Sequence, residues 1–119
     1  MYARGKAAET GSGHEQPSDA QYEAAVVALR MLAEPTRLRL LWLLHDGAER
    51  DVGSLAADVG AARPAVSQHL GKLLLAGLVS SRRDGRRVLY RARGGHVQRL
   101  VVEVLYAADH QLTDAPEHD

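Results

Sequence analysis

Apolar side chains recur along this chain at helical spacing, except in one basic stretch that carries a turn signal. Tyr22, Val26, Leu29 and Leu32 or Ala33 recur every three or four positions and predict a helix over 19–33, capped by Ser18 with Glu23 in its early turns. The run PTRLRLLWLLH predicts a second helix over 35–45. It opens at Pro35, ends at Asp46–Gly47, and is apolar at Leu38, Leu41, Trp42 and Leu44, so most of its circumference is expected to be buried. A short helix ending near Val59 follows, capped by Asp51 or Ser54, with Leu55, Ala56 and Val59 inward. The turn Gly60-Ala61-Ala62 leads to a helix with Pro64 in its first turn, running to about Ala76, where Gly77 stops it. Its core stripe is Val66, Leu70, Leu73 and Leu74. Two short helices across a small-residue turn predict a helix-turn-helix.

The pattern then changes. Residues 78–83 and 86–91 flank Asp84–Gly85, a strong hairpin signal because Gly accepts positive φ. Gly94–Gly95 break the chain, and Val97, Leu100, Val101, Val104 and Leu105 predict a last helix over 96–110. The predicted fold is mainly α with a small β-hairpin wing, an α+β winged helix-turn-helix over 18–110. Residues 1–17 lack apolar periodicity and read as a disordered tail, and 111–119 as an acidic flexible one.

Composition narrows the chemistry. A length of 119 residues suits one small domain with tails, which a second chain would help to stabilise. With no Cys, there is no disulfide, thiolate metal site or thiol nucleophile. No apolar run approaches the ~18 residues of a membrane span and no signal peptide opens the chain, so the expectation is a soluble, cytoplasmic protein that does not engage membranes.

The formal net charge is zero, from 15 basic and 15 acidic residues, but the charges are sorted. Residues 1–62 carry −3, residues 63–99 carry +8, and residues 100–119 carry −5. Such a block is what a localised polyanion site would show. It coincides with the second helix of the motif and the hairpin. A helix of that kind fits the major groove, with its N-terminal residues at base edges. Those residues are Arg63, Ser67, Gln68 and His69; Lys72, one turn on, suits a phosphate. Arg82, Arg83, Arg86 and Arg87 surround the hairpin tip, within reach of backbone or minor groove.

These residues carry a resemblance. LAEPTRLRLL at 32–41, Leu55-Ala56, PAVSQHL at 64–70, LLLAGLV at 73–79 and RRDGRRVLY at 82–90 resemble the ArsR–SmtB family of metal-responsive winged-helix regulators. The resemblance implies a homodimer, formed through the terminal helices, that binds a double-stranded operator with an imperfect inverted repeat. It also implies an effector that alters DNA affinity. Two positions depart from the family: Ala62 stands where a capping Ser is common, and Ala65 where the reading helix has Thr. The family's Cys-Val-Cys sensor corresponds here to Arg50-Asp51-Val52, which removes that thiolate site.

A family site of His and carboxylate ligands on the last helix remains. His96, Glu103 and His110 are seven residues apart and share one helix face. His96 and His110 stand about 21 Å apart at ~1.5 Å per residue, so one chain cannot close a site with both. Two antiparallel copies can, with Asp109 beside His110. The spacing His96, Asp109, His110 and His118 is similar to the nickel- and cobalt-sensing actinobacterial branch. The zinc pattern is broken by Gly94 and Ala107. Nickel is therefore the expected effector, with cobalt or zinc as alternatives, and His14 and His118 as labile additional ligands. The competing expectation is a winged-helix regulator with no metal site, controlled by a partner protein. No HExxH, phosphate loop or nucleophile–base pair appears, so an enzyme is not expected.

Overall fold

A computed structural model describes residues 15–118, and the side chains of α5 as far as Thr113. The tail expected over 1–17 and His14 lie largely outside the described residues. Helix α1 (Asp19–Leu32) starts at Ser18, whose hydroxyl accepts from the Gln21 backbone N–H. The Gln21 side chain accepts in return from the Ser18 N–H, which completes a capping box. Helix α2 (Pro35–Leu43) is capped by the Glu34 carboxylate, which accepts from the Arg37 N–H at 2.7 Å. Helix α3 (Val52–Val59) is capped by Asp51, and Gly60 closes it at φ +71°. Helix α4 (Arg63–Leu75) has Ala62 at its N-cap and no side-chain cap, as the sequence predicts. Together α3 and α4 form the helix-turn-helix.

Strands β2 (Val79–Asp84) and β3 (Arg87–Ala92) form the hairpin, with Asp84 opposite Arg87 and Gly85 at φ +64° in the turn. A third, two-residue strand, β1 (Arg50–Asp51), pairs antiparallel with β3, giving the order β1-β3-β2. No sequence pattern marks so short a strand. Its consequence is that the start of α3 is tied to the wing.

The core sits where α2, α3, α4 and α5 meet, around Leu40, Leu41, Leu44, Leu55, Val66, Leu70, Leu73 and Val101. On α2 and α4, one member of each expected stripe lies outside it. Trp42 is exposed and stacks on His45, with ring centroids 4.1 Å apart, and Leu74 is half-exposed. On α2 the exposed positions Pro35, Arg39 and Trp42 share one narrow face, and the rest of its circumference is buried or half-buried, as expected. On α1, Tyr22 and Leu29 are 54% and 52% exposed, so the N-terminal part of the expected apolar stripe faces away from this chain's own core, whereas Leu32 joins it. Helix α5 (Gly94–His118) continues past residue 110, because Leu112 extends the stripe of Val101 and Leu105 and no glycine intervenes. Val104, Tyr106 and Leu112 on it are exposed too.

Candidate nucleic-acid interface

The exposed N-terminus of α4 faces the wing across a cleft of about 340 Å³, lined among others by Asp51, Gly53, Arg63, Ser67, Arg86, Arg87 and Tyr90. Three guanidinium-bearing residues thus meet at the start of a helix whose first amides have no side-chain partner. Such amides and the helix dipole both favour an anion. Arg63 lies across Gly53: a Cβ there would fall 2.5 Å from its Nη2. Glycine at this position leaves the room that the Arg63 side chain occupies.

Asp51 is the counter-charge of the cleft. Its Oδ1 accepts from the Ser54 N–H at 2.8 Å, and Oδ2 lies 3.4 Å from Arg87 Nη1. The Ser54 amide chiefly, with Arg87 and Arg63 adding to it, holds its carboxyl below the usual carboxylate range. Arg87 is also 3.4 Å from Asp84 Oδ2. Neither the Asp51 pairing nor β1 was legible from pattern alone. The available signal was the acidic cluster Asp46, Glu49 and Asp51 in a chain whose basic block lies elsewhere.

The nine residues expected at DNA do not form one set. Arg63, Ser67, Arg86 and Arg87 are brought together at the cleft. Gln68 and Lys72 are exposed on α4. Arg83 and Arg86 at the wing tip are exposed, with no side-chain partner among the described residues. Arg82 is instead taken up by a bidentate pair with Glu49, whose carboxyl it holds below the ordinary value. His69 is turned the other way: half-buried, it lies 3.3 Å from Arg37 Nη1 and 3.9 Å from Glu34 Oε2. Helical periodicity separates His69 from Ser67 by about 200°, which places it on the core side of α4.

The expected metal ligands His96, Glu103, Asp109 and His110 are all exposed on one continuous helix. Among the described residues, no three His, Asp or Glu side chains within one chain come close enough to hold a metal. His96 Nδ1 accepts from Arg99 Nη2 at 3.0 Å, since a guanidinium only donates. The side chain of His118 lies outside the described ones. No described helix is long and apolar enough to cross a membrane.

Residues 34–81 match the family described as "Bacterial regulatory protein, arsR family". The chain is 43% identical to the HTH-type transcriptional regulator KmtR of Mycobacterium tuberculosis over 90% of its own length and 82% of that protein's. It is 38% identical to the regulator NmtR of the same organism, over 79% and 78% of the two chains. Among solved structures, a homodimeric winged helix-turn-helix DNA-binding domain from Mycobacterium bovis matches with a TM-score of 0.72 and 35% identity. That match covers 82% of this chain and 92% of the other.

Proposed function

The chain belongs to the arsR family of bacterial regulatory proteins and is a DNA-binding transcriptional regulator, not an enzyme; on that footing, we propose that it binds operator DNA as a homodimer and releases or tightens it in response to a divalent metal, nickel first. The observation that carries the DNA half is the cleft where Arg63, Ser67, Arg86 and Arg87 meet at the uncapped start of α4. In this reading, Arg63, Ser67 and Gln68 face base edges in the major groove. Lys72, Arg83, Arg86 and Arg87 take backbone phosphates, and a phosphate also caps the first amides of α4. Arg82 holds the wing and His69 does not touch DNA.

An exposed apolar stripe on α1 (Tyr22, Val26, Leu29) and exposed apolar side chains on α5 (Val104, Tyr106, Leu112) support pairing of two copies through these terminal helices. The symmetry of such a dimer matches an imperfect inverted repeat. A soluble regulator of this kind acts in the cytoplasm.

The effector half rests on the donor set. The chain has no Cys, and α5 presents imidazole and carboxylate donors on an exposed face, which suits nickel, cobalt or zinc. His96 of one copy with Asp109 and His110 of the other would hold the ion, with Glu103 and His118 as further ligands. The ion would couple the angle between subunits to the spacing of the two α4 helices.

Mobility shift against the promoter region of its own gene, at several salt concentrations, tests the first half. Absent or salt-independent binding would contradict it. Titration of the purified protein with nickel, cobalt and zinc, with DNA affinity as readout, tests the second. Equal binding by wild type and a His96→Ala/His110→Ala variant would move the signal to a partner protein.

A further inference from the structure

Glu34, Arg37 and His69 form a polar cluster that reading DNA does not itself use, and it joins three helices. Arg37, 9% exposed, is the buried charged residue among those described. A buried guanidinium is unfavourable unless its donors are matched. Its Nε donates to the carbonyl oxygen of Met31 at 2.7 Å, in the last turn of α1, where carbonyls lack partners within their own helix. Its Nη1 lies 3.3 Å from His69 Nδ1 on α4.

The guanidinium has only donors, so Nδ1 accepts and the ring hydrogen of neutral His69 sits on Nε2. Nε2 in turn faces Glu34 Oε2 at 3.9 Å. The other Glu34 oxygen caps α2. One chain of polar contacts therefore runs from the end of α1, through the start of α2, to the middle of α4.

Val66, Leu70 and Leu73 hold α4 against the core, but apolar contact has no direction. The hydrogen bond at His69 does, and His69 is next to Gln68 and two positions from Ser67. A turn of about 20° about the helix axis moves a side-chain tip on a ~5 Å radius by about 2 Å, enough to break a base contact. We propose that Arg37 and His69 are positioning residues for operator reading, setting the rotation of α4 so that Arg63, Ser67 and Gln68 meet base edges. This rests on the reading that α4 enters the major groove.

The test uses the full chain and the duplex that the wild type enriches from a random library. His69→Leu removes the acceptor, His69→Asn keeps one near Nδ1, and Arg37→Lys keeps the charge but loses the forked donors. His69→Leu and Arg37→Lys should each weaken the selected duplex about tenfold, with the double variant no weaker than either single. Binding to a random duplex, and its salt slope, should not change, and His69→Asn should recover most of the loss. Equal losses on selected and random duplexes would show general destabilisation and overturn the assignment. So would a loss confined to one operator position with Arg37→Lys neutral, which would make His69 a direct reader. If Arg37→Lys does not fold, as seen by circular dichroism, the contrast between His69→Leu and His69→Asn decides alone. A wild type that enriches no duplex would overturn the major-groove reading itself, and this role with it.

Discussion

Arg82 lays its guanidinium fork on Glu49, with Nε 2.7 Å from Oε2 and Nη2 2.8 Å from Oε1. The pair bridges β2 and the segment leading into β1, so it braces the wing against the body. An Arg so engaged is a poor phosphate donor, whereas Arg86 at the wing tip has no such partner. Arg86→Ala is therefore expected to flatten the salt dependence of DNA binding by about one unit of slope, and Arg82→Ala to change it less. Glu49→Gln should release Arg82 and steepen the slope. Equal effects of Arg82→Ala and Arg86→Ala in salt titrations would show that the brace opens on DNA.

Gly53→Ala should separate folding from binding. The atoms nearest the new methyl all belong to the end of the Arg63 side chain, which can swing away, so the fold can absorb it. Replacing Gly within α3 should add about 0.5–1 kcal/mol to stability by urea denaturation. Arg63 would have to leave its place over α3, and affinity for the selected operator should fall. A variant both more stable and unchanged in affinity would remove Arg63 from the reading set.

The acid limb of stability should trace to three capped or paired carboxylates. Glu34, Glu49 and Asp51 are all held below their ordinary values of 4.5, 4.5 and 3.8. The chief causes are the Arg37 amide, the Arg82 guanidinium and the Ser54 amide, respectively. Because the folded values are the lower ones, their stabilisation is complete above the ordinary values and is lost as pH falls through the folded ones. The urea midpoint should drop on acidification below about pH 4.5, less so in Asp51→Asn, whose amide still caps α3. A midpoint that held steady or rose there would contradict this.

In the proposed metal site, the ion would have to compete with Arg99 for His96. Whichever ring nitrogen ligates, the hydrogen bond from Arg99 Nη2 to Nδ1 is given up. A typical intramolecular hydrogen bond is worth about 0.5–1.5 kcal/mol net and an exposed one falls at the low end, so Arg99→Ala should tighten nickel binding about twofold in calorimetric titration. His96→Ala should weaken it strongly. If neither change moves the affinity, His96 is not a ligand.

Much of the architecture is local, and was legible for that reason. Ser18, Pro35, Asp51, Gly60, Gly77 and Gly85 each act through the backbone within a few residues, so the ends of helices and the hairpin follow from residue type. The missing cap at Ala62 and the clustering of charge in residues 63–99 were equally readable. Trp42 and Leu74 were misplaced because a period of 3.6 tells which residues share a face, not how wide a strip the neighbouring helices cover.

The sequence by itself determined the element order, the basic segment over 63–99 and the exclusion of thiolate chemistry, because these depend on residue type and short-range spacing. Only the tertiary structure decided which charges are spent within the protein. Glu49 and Arg82 are 33 residues apart, and Arg37 and His69 are 32 apart. Nothing in local pattern sets such pairings. They follow from how β1 meets β3 and how α2 crosses α4, where hydrogen bonds a few ångströms long select one partner among many like charges.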